Sequence, residues 1–222
     1  MWEEEKFFDF ILRNKVIGFF KEPIKLKSGR KSYWYVNWRN IAEDVFLLDE
    51  LTNFLINFTQ GLGLKPDCFY GVPEGATKLG ILTQYKWAKK QVDYGQNAYP
   101  LSMGRGKPKE HGDPKDKFFL GVPKGHLVIL EDVTTTGGSL LEAIDKLLDL
   151  NVTIDAAIGL TNRNELRDDG KSVEDVVKEK GINYHAMSNA LDLLPRLSPE
   201  DDIVRHVENY FQKYGIKEIK FS

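Results

Sequence analysis

The segment Val128-Ile-Leu-Glu-Asp-Val-Thr-Thr-Thr-Gly-Gly-Ser139 decides how the rest of the chain reads. An apolar run ends in two acids, passes through a turn of hydroxyl-bearing and glycine residues, and enters a helical pattern. Glycines let backbone N–H groups approach an anion closely, and a helix N-terminus adds partial positive charge. Gly137 and Gly138, with the hydroxyls of Thr134, Thr135, Thr136 and Ser139, therefore form a candidate phosphate cradle reached through Val133. Glu131 and Asp132 would repel the phosphate, but they suit neutral hydroxyls such as those of a ribose one turn away. A sugar phosphate fits the whole segment better than a bare anion. A simple helix N-cap needs the turn but not the paired acids or the hydroxyl run. A P-loop is a poor fit, because the Gly-Lys-Ser/Thr ending that reaches the outer phosphates is missing.

Outward from this segment, strand and helix patterns alternate. Helical spacing covers residues 3–20, and two short strands flank a Ser28-Gly29 turn between Ile24 and Asn37. A second helical pattern runs over 47–61, followed by a buried strand at Cys68–Val72 and a helix at 76–90. Tyr99–Met103 reads as a strand, and 104–125, rich in Lys, Gly and Pro, as a long mobile loop. Then come a strand at His126–Asp132, a helix from Ser139 to about Leu150, strands at 153–161 and 183–187, and a helix at 199–213. The alternation predicts an α/β fold, a parallel sheet covered by helices on both faces. Ligands in such sheets sit beyond the carboxyl ends of the strands, where the polar clusters of this chain fall.

The bulk numbers narrow the function. Of 222 residues 41% are apolar, enough for a proper core, and 31 basic against 33 acidic residues leave a formal charge of −2. That balance gives no reason to expect nucleic-acid or membrane binding. Cys68 is the single cysteine, so an internal disulfide and a cysteine-based zinc site are both excluded, and it is expected to be a buried thiol. His126 and His185 read as structural. The acidic start lacks a signal-peptide pattern and no apolar run approaches the ~18 residues of a membrane span, so the cytoplasm is expected.

Glu131-Asp-Val-Thr-Thr-Thr-Gly-Gly-Ser139 resembles the phosphoribosyl diphosphate signature of the type I phosphoribosyltransferases. The resemblance implies that Glu131 and Asp132 bind the ribose hydroxyls and that Thr134 through Ser139 bind the 5-phosphate. Two more segments are similar to the orotate branch of that family. Lys27-Ser-Gly-Arg-Lys-Ser-Tyr-Trp-Tyr-Val-Asn-Trp-Arg39 matches its amino-terminal segment, which implies contacts from Lys27 and aromatic residues such as Tyr35 to base and diphosphate. Arg105-Gly-Lys-Pro-Lys-Glu-His-Gly112 is similar to its mobile catalytic loop, implying that Arg105, Lys109 and His111 meet the diphosphate, with Lys109 and Asp132 as catalytic candidates. Arg163 matches an arginine that reads the base, and a guanidinium fork suits the carboxylate of orotate. Its alternative is a surface ion pair with Glu165 or Asp168. Thr135 matches a threonine that also touches the base.

The implied activity is transfer of 5-phosphoribose from phosphoribosyl diphosphate to orotate in pyrimidine biosynthesis, by a homodimer whose loop reaches the neighbouring site. Magnesium is expected, held mainly by substrate oxygens rather than directly by the protein. The whole chain is expected to be one catalytic domain, with an N-terminal helix and hood over about 1–65, a core sheet over about 66–190 and a C-terminal helix over about 191–222. The length is expected to leave no room for a fused decarboxylase. Three features depart from the family pattern: Gly106 stands where a second lysine is usual, Val36 follows Tyr33-Trp34-Tyr35 where a Phe is common, and Glu74 sits in the segment Tyr70–Lys78 that corresponds to the diphosphate loop. Competing readings are transfer to a purine or uracil, against which Arg163 speaks, and a regulator that senses the sugar diphosphate, for which Lys109 would be unnecessary.

Overall fold

The computed structural model describes residues 1–111, 117–150 and 152–221. The chain opens with α1 (Glu4–Arg13), then a hairpin of β1 (Ile17–Lys25) and β2 (Lys31–Val36). The short α2 (Arg39–Ala42) precedes α3 (Val45–Gly61), whose first turn is capped by Asp44 accepting from the Leu47 N–H at 2.9 Å. Next come β3 (Cys68–Gly71), α4 (Thr77–Lys89), and the two-residue strands β4 (Met103–Gly104) and β5 (Phe119–Leu120). The core is completed by β6 (Gly125–Thr134), α5 (Gly138–Leu148), β7 (Val152–Asn162), α6 (Val173–Lys178) and β8 (Asn183–Ala186). After α7 (Ala190–Leu193) and one 3₁₀ turn, α8 (Asp201–Tyr214) ends the helical structure.

Strands β3, β6, β7 and β8 lie side by side in that order and run parallel, as the alternating pattern predicts. Because side chains alternate across a strand, β6 feeds two cores. Val128 and Leu130 join Phe69, Ile158 and Leu160 beneath α1, α3, α8 and the hairpin. Leu127 and Ile129 join Cys68, Tyr70 and Ala157 beneath α5 and α6. Cys68 is fully buried, and burial pushes its thiol up to about 12, so it is an inert part of this second core.

Three expectations need correction. Helix α1 stops at Arg13 instead of running to 20: the chain reverses at Asn14-Lys15, where Lys15 has a φ of 52°, and Ile17 onward pairs with β2. Of Tyr99–Met103 only Met103 is in a strand, while Tyr99, Pro100 and Leu101 line a groove. The segment 104–125 holds β5 and the start of β6, and its residues 112–116 lie outside the described residues. Among the described residues no helix is long and apolar enough to cross a membrane.

Candidate active site

Strand β6 delivers Glu131 and Asp132 to the carboxyl edge of the sheet, and the chain then turns into α5. Gly137 makes that turn with a φ of 73°, and a Cβ there would also lie 2.7 Å from Val173 Cγ2, so both conformation and space require glycine. The turn encloses a cavity of about 420 Å³ lined by Lys27, Ser28, Glu131, Val133, Thr135 through Ser139, and Glu142. Lys27 arrives from the hairpin turn, and its Nζ donates to Ser139 Oγ at 2.7 Å. A cation, backbone amides at a helix N-terminus and a carboxylate thus face one space, as a sugar phosphate requires. A larger groove of about 1030 Å³ opens at the amino ends of β3 and β6, around Asp67, Tyr99 and Gly125. Lys124 is the one cation among its described lining residues, so we assign the chemistry to the smaller, charged cavity.

Not every expected residue faces that cavity. Thr134 is buried, and its hydroxyl is hydrogen-bonded to the Tyr184 hydroxyl, so it is turned away from the phosphate position. Asp132 Oδ1 accepts from the Val133 N–H at 2.9 Å. The segment 71–78 lies against Asp132: a Cβ on Gly75 would be 2.2 Å from Asp132 Oδ2. Arg105 lines a second cavity of about 100 Å³ that shares Lys27, Ser139 and Glu142 with the first. Lys109 and His111 are exposed and line neither space. Lys109 belongs to a ribbon that extends β4 and β5, through Arg105 N–H to Phe118 O and Lys109 N–H to Lys117 O, each 2.9 Å. Two of the departures from the family pattern meet here, since a Cβ on Gly106 would lie 2.7 Å from Glu74 Oε1.

Arg163 pairs with Glu165, as its alternative reading has it, but the pair is buried. Arg163 follows β7 and is 1% exposed, so this is no surface ion pair. Its Nε donates to Glu165 Oε1 at 2.6 Å, its Nη2 to Ser32 Oγ at 3.1 Å, and its guanidinium lies 3.7 Å from the Trp34 ring centre. Asp168 pairs instead with Arg30, which also donates to Glu165 Oε2 at 2.9 Å. Tyr210 from α8 completes the carboxylate's partners at 2.9 Å. Tyr35 shares the partly exposed face of β2 with Tyr33, opposite the buried Trp34, and lines neither cavity. His126 pairs with Asp155 on β7 and His185 sits on β8, both away from the cavity. Four residues at or behind the site had no assigned part in the sequence: Arg30, Glu165 as a buried anchor, Tyr184, and Arg167, whose Nη1 donates to the Thr136 carbonyl.

Among the described residues no three His, Cys, Asp or Glu side chains stand together as a metal-binding group. Of the nearby carboxylates, Glu131 and Glu142 line the cavity, and Asp132 follows Glu131 at the end of β6. Burial, and then the neighbouring Asp132, hold the Glu131 carboxyl well above the ordinary carboxylate range. A group whose proton is held more tightly in the folded state contributes stability below its unfolded pKa and loses that contribution as pH rises through its folded value. Glu131→Gln should therefore match the wild-type melting temperature in acid and exceed it above the raised Glu131 value, while use of the sugar diphosphate falls. Parallel melting-temperature profiles from acid to mildly alkaline pH would show that the carboxyl carries no such penalty.

No family model matches the chain. It is 30% identical over 198 residues to an orotate phosphoribosyltransferase of Rhodopseudomonas palustris (strain BisB5), covering 84% of this chain and 94% of that protein. It is 28% identical over 172 residues to one from Thermococcus gammatolerans, covering 77% and 82%. The crystal structure of orotate phosphoribosyltransferase from Francisella tularensis superposes with a TM-score of 0.67 at 22% identity, over 95% of this chain and 99% of that one. With its parallel sheet, its acids at the end of β6 and its glycine turn into α5, the chain belongs to the orotate phosphoribosyltransferase family.

Proposed function

We propose that the chain acts as one catalytic unit that transfers the 5-phosphoribosyl group from phosphoribosyl diphosphate to orotate, releasing diphosphate and orotidine 5-phosphate. The observation that carries this reading is the meeting of Lys27, Glu131 and Thr135 through Ser139 around one cavity. In our reading the 5-phosphate rests on the amides and hydroxyls of Thr135, Thr136, Gly137, Gly138 and Ser139. The ribose hydroxyls lie on Glu131 and Asp132. Lys27, Arg105 and the 71–78 segment face the diphosphate. As the bond from C1 to the diphosphate oxygen breaks, positive charge develops on the sugar and negative charge on the leaving group; N1 of orotate then bonds to C1 and loses its proton, which passes to the departing diphosphate or to water. Cations brought by the loop stabilise the departing diphosphate, and closure excludes water. Magnesium, carried mainly by substrate oxygens, would neutralise part of the diphosphate charge.

For the base we propose Arg163, with Thr135 on the cavity wall; Tyr35, which the resemblance also implies, lies on the face of β2 opposite Trp34. Arg163 Nη1 and Trp34 Nε1 are buried donors without an acceptor among the described residues, and such orphans are costly. A carboxylate entering beside β2 would satisfy them. Removing one partner of a buried ion pair costs about 3–5 kcal/mol, so alanine at 163 would chiefly test folding. Lysine keeps the charge beside Glu165 and removes the fork. Arg163→Lys should raise the KM for orotate about tenfold, the loss of a hydrogen bond to a charged group, with the KM for phosphoribosyl diphosphate little changed. Equal changes in both constants would assign Arg163 to structure alone.

We further propose a homodimer in which Lys109 and His111 serve the partner's cavity. Their position outside the cavities of their own subunit supports this. Lys109→Ala should lose most turnover yet still bind phosphoribosyl diphosphate, because it meets charge that develops in the transition state. Asp132→Asn carries its defect in the other half of the site. In a mixed dimer one site combines both defects and the other is intact, so up to about half the wild-type activity should return. If labelled subunits exchange and no activity returns, the loop does not act across the dimer.

A further inference from the structure

The turn that holds the sugar phosphate is anchored from two strands away. Thr134 stands between the two acids and the cradle, and its buried hydroxyl is bonded to the hydroxyl of Tyr184 on β8. Strand β7 lies between β6 and β8, so a side chain from β8 must cross it. It crosses at Gly159, which pairs with Glu131 on one side and Ala186 on the other. A Cβ on Gly159 would lie 2.3 Å from the Tyr184 hydroxyl oxygen, so any other residue there would block the passage. Tyr184 packs among the residues of the second core, and burial holds its phenol above the ordinary tyrosine range. Burial therefore favours the protonated phenol, the form that can donate a hydrogen bond.

We propose that Tyr184 is a positioning residue for the phosphoribosyl diphosphate site. It touches no substrate in this arrangement. It holds Thr134 inward, and Thr134 in turn fixes where the backbone leaves β6 and therefore where the amides of Thr135 through Gly138 point. The Thr134 carbonyl is held as well, accepting from the Arg163 N–H at 2.9 Å, so the strand end is fastened through backbone and side chain together. Amides that bind a phosphate act only within tight distance limits, so a small rotation at Thr134 is felt directly in the cradle. The Arg163 guanidinium, proposed for the orotate carboxylate, is held by Glu165 and Ser32 rather than by this bond.

The inference rests on the phosphoribosyl transfer proposed above, and the test separates the two. Steady-state constants for both substrates are measured for wild type, Tyr184→Phe, Thr134→Val and the double variant, with melting temperatures alongside. Phenylalanine keeps the ring that fills the space over Gly159 and removes only the hydroxyl. In Tyr184→Phe the KM for phosphoribosyl diphosphate should rise roughly threefold to tenfold, the range spanned by one lost hydrogen bond of ordinary strength, while the KM for orotate stays at the wild-type value. Thr134→Val should show the same split, and the double variant should be no worse than either single one, because both remove one bond. An unchanged KM for the sugar diphosphate, a parallel change in both substrates' constants, or multiplied effects in the double variant would each overturn the role of Tyr184. Absence of turnover in the wild type would instead overturn the proposed transfer reaction.

Discussion

A buried carboxylate holds the site's two halves together. Glu165 is 1% exposed, and a charge so removed from water persists only with partners that replace its hydration. It has three: Arg30 from the hairpin turn, Arg163 from the end of β7 and Tyr210 from α8. Arg30 lies three residues beyond Lys27, so its ion pair determines where the hairpin turn rests. Lys27 then lands on Ser139 at the mouth of the phosphate cavity. The N-terminal hairpin has no strand in common with the central sheet, so these contacts, with the apolar packing of Trp34 against Phe211, position it. Such a pair is weak evidence for extra stability; its use here is to give the hairpin one seat.

The same physics runs in the opposite direction at the end of β6. Glu131 is nearly as buried as Glu165 but has an acidic neighbour in Asp132, and the turn residue Lys27 acts on it more weakly than burial and Asp132 do. The protein therefore carries one carboxylate that is satisfied and one that is under strain. The strained one faces the cavity. In the proposed reaction a ribose hydroxyl on Glu131 would offset part of this penalty.

What the sequence showed of this depends on range. The strand, acids and glycine turn of 128–139 are local features, and the structure reproduces them within a residue or two. The turn and second strand of the hairpin were equally plain, Gly29 taking a φ of 84°, but the first strand was read from Ile24 whereas β1 runs over Ile17–Lys25. Helix α1 was drawn too long because Val16, Ile17, Phe19 and Phe20 prolong its apolar spacing past the reversal at Lys15. Helix α6 was missed, since its six residues are too few for a periodic signal, although the Ser172–Asp175 capping box marks its start. Arg163 and Glu165 were both noticed, yet their burial depends on Trp34 and Tyr210, far away in the chain. Tyr184 gave no signal at all. Its role follows from the order of β6, β7 and β8 and from an empty place at Gly159, neither of which a linear pattern records.

The central claim is that this cavity moves phosphoribose onto a base bearing a carboxylate. The most direct measurement follows the ultraviolet absorbance of orotate on mixing the protein with phosphoribosyl diphosphate and magnesium, with diphosphate release measured in parallel. Orotate should disappear and diphosphate appear in equal amounts, uracil should be left untouched, and excess chelator should stop the reaction. Failure to consume orotate, equal use of uracil, or full activity in chelator would contradict the claim.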